Sequence, residues 1–79
     1  MADWQCYLLH CADDSFYCGI TNNLDKRIAA HNAGDGAKYT RGRTPVSLVY
    51  CETCADKSAA LKREMQIKRL SRSAKKALL

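Results

Sequence analysis

The sequence has no long apolar run. Its longest stretches, such as Cys6 to Leu9 and Val46 to Tyr50, fall far short of the roughly 18 residues needed to cross a bilayer, which excludes a membrane-spanning helix. The opening Met1-Ala2-Asp3-Trp4 has neither the basic region nor the apolar run of a secretory signal, so a cytoplasmic location is expected. Internal repeats, low-complexity tracts and heptad runs are also missing. Five cysteines cannot all pair, which suits a reducing compartment. Cys51 and Cys54 form a CxxC pair, but Cys6, Cys11 and Cys18 lack the spacing of the second pair that structural zinc requires. Small buried thiols standing in for Val or Ala are the better reading.

Acidic charge is scarce in the second half. Residues 1–37 hold two basic and five acidic side chains, whereas residues 38–79 hold eleven basic and three acidic ones. The net charge of +5 is therefore a −3 half joined to a +8 half. That polarisation suits a polyanion, since Lys and Arg release counterions as they neutralise phosphates. The plainer alternative is a solubilising surface.

What is present reads as one small α+β domain over residues 1–79. Trp4 to Cys11 predicts a strand, Ala12 to Ser15 a turn, and Ser15 to Ile20 the returning strand of a hairpin. Gly19 inside that strand marks a bulge or a close approach to the backbone. Asn22 is expected to cap a helix that ends at Asn32-Ala33-Gly34, with Asp25 completing a capping box. Leu24, Ile28 and His31 share its inner arc, flanked by Arg27.

Gly34 to Arg43 forms a glycine-punctuated loop carrying Lys38, Arg41, Arg43 and Tyr39. Freedom at Gly36 and Gly42 would let it wrap a phosphate, although a mobile linker is the simpler reading. Val46 to Glu52 predicts a third strand, and Asp56 caps a long helix to about Leu70. Ala60, Leu61 and Ile67 form its apolar side. Glu64 falls among them, where a carboxylate is costly unless paired or bound to a cation. Ser73 is expected to cap a short final helix through Leu79.

Tyr7, Tyr17, Arg27, His31 and Glu64 thus stand out as polar residues set on regular elements, and their convergence on a phosphodiester is the functional expectation. Plain strand packing is the alternative for each phenol, and a salt bridge to Glu64 the alternative for Arg27.

With these positions assembled, the sequence resembles the GIY-YIG nuclease superfamily, and more closely its small single-domain bacterial, YhbQ-like branch. The resemblance runs from about Trp4 to Lys76. The first triplet falls on Gln5-Cys6-Tyr7 and the second on Tyr17-Cys18-Gly19. The helical arginine falls on Arg27, the His-or-Tyr position on His31, and the metal-binding glutamate on Glu64. The run from Gly36 to Arg43 looks like the single-domain branch. Where several better-known members carry an asparagine after the glutamate, this chain has no Asn beyond Asn32.

The resemblance implies a three-stranded antiparallel sheet flanked by helices in β-β-α-β-α order, plus a short C-terminal helix. It also implies an endonuclease that hydrolyses DNA with one divalent metal, in repair or recombination. Glu64 would hold Mg²⁺ or Mn²⁺, and Mg²⁺ can make do with one protein carboxylate because it keeps most of its waters. Arg27 would clamp the non-bridging oxygens with its planar fork. The resemblance favours Tyr17 as the base, but a free phenol has a pKa of about 10 and needs positive charge nearby. His31, ordinarily near 6.5, needs no such help, so Tyr17 alone or with His31 is expected to activate water while Tyr7 positions it.

Lys38, Arg41, Arg43, Arg63 and Arg72 are expected to contact backbone phosphates without reading sequence. The expected partner is DNA, branched or damaged, with a protein partner supplying specificity. A nucleic-acid-binding module with weak or no cleavage is the competing class. An adaptor whose basic face binds an acidic protein is a third.

Overall fold

The computed structural model describes residues 3–79, so Met1 and Ala2, on which the signal reading partly rested, lie outside the described residues. Its elements are β1 (Trp4–His10), β2 (Phe16–Thr21), α1 (Leu24–Asn32), β3 (Ser47–Cys54), α2 (Lys57–Lys68) and α3 (Arg72–Lys76). The strands form an antiparallel sheet in the order β2-β1-β3, and the element order is the expected one. Among the described residues no helix is long and apolar enough to cross a membrane.

β1 lies in the middle, and Cys6 through Leu9 are fully buried. Side chains alternate along a strand, so Cys6 and Leu8 point to one face while Tyr7 and Leu9 point to the other. Cys6 and Leu8 pack with Cys18 and Ile67 beneath α2. Tyr7 and Leu9 pack with Cys11 and Val46, and Leu24 and Ile28 of α1 close over them. The β1–β3 register shifts between Leu8 and Leu9, so the sheet's irregularity falls there rather than at Gly19. Gly19 instead permits a close approach: a Cβ there would lie 2.5 Å from the Tyr7 hydroxyl.

Several boundaries differ from expectation. Asn23, not Asn22, caps α1, its side chain accepting from the Lys26 N–H at 3.2 Å. Thr21 Oγ1 accepts from the Asn23 N–H and fixes the chain one residue later. Asp25 remains in the first turn, favourably placed for the helix dipole but out of capping-box spacing. Ser71 rather than Ser73 caps α3, and that helix stops at Lys76. Asp56 caps α2 as expected.

β3 runs two residues past Glu52 and starts after Val46, whose backbone is claimed by a side chain. Asn32 accepts from the Val46 N–H at 2.7 Å and donates to its carbonyl at 3.2 Å. Ala60 and Ile67 are buried, but Leu61 is 42% exposed and does not join the core.

Candidate functional site

Three buried polar side chains form a chain of hydrogen bonds between β1, α1 and the loop after α1. The Tyr7 hydroxyl lies 2.9 Å from His31 Nε2, and His31 Nδ1 lies 2.7 Å from Thr40 Oγ1. Thr40 donates its single hydroxyl proton to the Ala37 carbonyl at 3.0 Å. Its oxygen must then accept from His31, which places the ring proton on Nδ1 and leaves Nε2 to accept from Tyr7. The Ala37 N–H is 3.4 Å from Nδ1, too long to override the shorter pair. Gly36 lies directly against the imidazole, where any Cβ would overlap the ring and the His31 backbone.

This arrangement holds both rings neutral. Burial pushes the Tyr7 phenol up to about 12, with Arg27 pulling the other way. Burial, and then the positive charge of Arg27, lower the His31 pKa. His31 is therefore not the solvent-ready base that its ordinary pKa suggested. It is fully buried and both ring nitrogens are engaged.

Arg27 sits beside both phenols and is kept charged chiefly by Tyr7, with Tyr17 adding to the effect. Tyr17 comes from β2 on the same face, its ring centroid 6.5 Å from that of Tyr7 and 5.2 Å from that of His31. Unlike Tyr7 it is only partly buried, and it lines an open hollow of about 350 Å³ with Phe16, Cys18, Tyr39, Lys68 and Lys75. Tyr39 stacks on Tyr17 at 5.7 Å and carries the Arg43 guanidinium 4.2 Å from its own ring centroid.

The structure thus brings Tyr7, Tyr17, Arg27 and His31 together. Among the described residues it pairs Glu64 with none of them. Glu64 is on α2, on the opposite face of the sheet, where its charge acts on Cys6 and Cys18. Its ion pair is with Lys68 at 3.7 Å, not with Arg27. Its partner Lys68, not Glu64 itself, lines the hollow that Tyr17 opens to.

The two part-buried glutamates of this face differ in what they hold. Both carboxylate oxygens of Glu52 are engaged, one by the Tyr50 hydroxyl at 2.6 Å and one by Arg63 Nε at 2.5 Å. Glu64, with 18% of its side chain exposed, accepts no hydrogen bond from the described residues, and no unpartnered side-chain oxygen among them is sealed from solvent.

Three of the five expected phosphate contacts are committed internally. Arg43 pairs with Asp13 at 2.8 Å, Arg63 with Glu52, and Arg72 with Asp14 at 2.7 Å. Lys38 and Arg41 are exposed on the loop. That loop packs inward through Gly36 and Thr40 instead of standing open around a ligand.

Residues 3–77 match the family model of the GIY-YIG catalytic domain. The chain belongs to the GIY-YIG family. A UPF0213 protein of Natronomonas pharaonis is 55% identical over 78 residues, spanning 99% of this chain and 92% of its own. A UPF0213 protein of Clostridium perfringens is 58% identical over 73 residues, spanning 92% of this chain and 78% of its own. The solution NMR structure of the UPF0213 protein from Bacillus halodurans has a TM-score of 0.61 at 43% identity, covering 96% of this chain and 81% of that one. The GIY-YIG assignment supports a nuclease-like function and nucleic acid as the ligand.

Sequence reasoning named Gly36 and Tyr39 only as parts of a loop that could wrap a phosphate, and it did not single out Thr40, Lys68 or Lys75. Thr40 lies in the same Gly36–Arg43 run. What it did not carry is the direction of the loop, because a threonine on a polar loop reads as exposed until His31 is known to lie beneath it.

Proposed function

We propose that this GIY-YIG domain is a divalent-metal-dependent endonuclease that hydrolyses DNA phosphodiester bonds, acting in repair or recombination. The observation that carries the reading is the placement of one guanidinium beside two phenols, one sealed and held neutral and the other open to a hollow.

Glu64 is the residue that fits a cation. Its carboxylate is sheltered, lacks a hydrogen-bond donor and reaches solvent, whereas Glu52 is saturated. One carboxylate can suffice for Mg²⁺ or Mn²⁺, because such an ion keeps most of its waters. Bound there, the cation would supply charge neutralisation at the phosphate and assistance to the leaving oxygen.

The protein groups divide the remaining work. Arg27 binds the non-bridging oxygens and offsets the charge that builds on them. Tyr17, beside Arg27 and open to the hollow, is the group that in its phenolate form, its own proton having passed to solvent, takes the proton of the attacking water. Tyr7 keeps its proton and, anchored by His31, fixes the position of Arg27. His31 acts through Tyr7.

The test is nicking of plasmid, single-stranded, flap and junction DNA with Mg²⁺, Mn²⁺ or EDTA, beside the Glu64→Gln protein. Metal-stimulated nicking lost in Glu64→Gln, with DNA binding retained, supports the reading. Metal-independent binding without nicking supports the second reading, a nucleic-acid-binding module of the same fold. The Glu64–Lys68 pairing and the lack of contact between Glu64 and the phenols favour that second reading.

A further inference from the structure

The hollow at the β2 edge carries two cations that the cleavage scheme does not use. It is lined by Phe16, Tyr17 and Cys18 of β2, Tyr39 of the loop, Lys68 of α2 and Lys75 of α3. Lys68 and Lys75, from two different helices, thus share one opening with Cys18. Lys68 is about half exposed, and its contact with Glu64 at 3.7 Å is an ion pair too long for a hydrogen bond. Arg43, Arg63 and Arg72 are each tied to a carboxylate.

We propose that this hollow is a second phosphate subsite, in which Lys68 and Lys75 hold a backbone phosphate of the strand being cut, next to the one presented to Tyr17 and Arg27. The proposal rests on the nuclease reading and deepens it. Two lysines on separate helices, lining one opening of about 350 Å³, suit a diffuse phosphate charge, and Lys binds phosphate as a point charge without demanding a fixed orientation. The subsite has a second consequence. Lys68 leaves Glu64 when it takes the phosphate, so the carboxylate gains an open position as the strand arrives.

The test compares Lys68→Gln with Lys75→Gln, made together, against Lys62→Gln with Lys76→Gln, which remove the same charge from exposed positions outside the hollow. Binding of a fluorescent oligonucleotide is followed in EDTA across a salt series, with circular dichroism to confirm folding. The Lys68/Lys75 pair is expected to lose about 10-fold in affinity at low salt and to flatten the salt slope by roughly one to two units, each lost phosphate contact lowering it by about 0.7–0.9. The Lys62/Lys76 pair should keep the slope of the unaltered protein. Equal losses in both pairs, or none in either, overturn the subsite while leaving the nuclease reading intact. Failure of the unaltered protein to bind the oligonucleotide overturns both.

Discussion

β1 has one face of thiols and aliphatics and one of hydrogen-bonded rings. Beneath α2, Cys6, Leu8, Cys18 and Ile67 interlock with Ile20 and Val49, and the cohesion there is apolar burial. Beneath α1, Tyr7 and Leu9 share their space with His31 and Thr40, whose polar atoms are tolerated because each has a partner. The first face is held by apolar burial, whereas the second relies on rings kept in one protonation state by their hydrogen-bond partners.

Substitutions at four positions and a pH titration would break or sharpen that contrast. Ile67→Ala leaves a cavity in the apolar face and should cost about 3 kcal/mol in a denaturant melt, with nicking per folded molecule unchanged. A nicking loss exceeding the unfolded fraction would show the two faces to be inseparable. Tyr17→Phe should do the reverse, cutting nicking by about 100-fold, or roughly 2.7 kcal/mol in the barrier, with stability altered by less than about 1 kcal/mol. Full activity in that variant removes Tyr17 as the base. Thr40→Val strips the acceptor from His31 Nδ1 and is expected to cost about 1–2 kcal/mol, which Thr40→Ser should restore. The ring-nitrogen NMR shifts of His31 would show whether Thr40→Val also releases the tautomer. At the small end, Leu61→Lys should change stability by about 0.5 kcal/mol or less, because that side chain already faces solvent.

Titration probes the polar face directly. The His31 pKa is lower in the folded chain than in the unfolded one, so the unfolded state binds the extra proton first. Stability should fall as pH drops below about 6.5. The Tyr7 phenol, raised to about 12, stays protonated after the unfolded phenol has ionised, so stability should also fall above about pH 10. Melts of His31→Gln should lose the acid limb and melts of Tyr7→Phe the alkaline one. Persistence of either limb assigns it to other groups.

The order of elements was readable because the apolar run of β1, the turn residues after it and capping residues such as Asp56 are local signals, sampled within a few positions of the structure they specify. Tyr7, Tyr17, Arg27 and His31 were readable as a group for the same reason, since each sits on a regular element with a predictable face. Partner choice was not. Glu52 and Arg63 lie on different elements, so nothing nearby in sequence announces that Arg63 is spoken for, and the same holds for Arg72 with Asp14. Net basicity therefore overstated how many cations await a phosphate. His31 was misjudged by the same omission, because an ordinary imidazole pKa presumes solvent that Gly36 and Thr40 exclude.

The close seating of Gly36 on His31 gives the segment after α1 an unusual status. Stretches dotted with glycine ordinarily absorb inserted residues with little harm, yet here lengthening by even one residue would lift the backbone off the ring and unseat Thr40 with it. Chain length between His31 and Thr40 is a dimension of the buried polar cluster, as firmly set as any side chain within it.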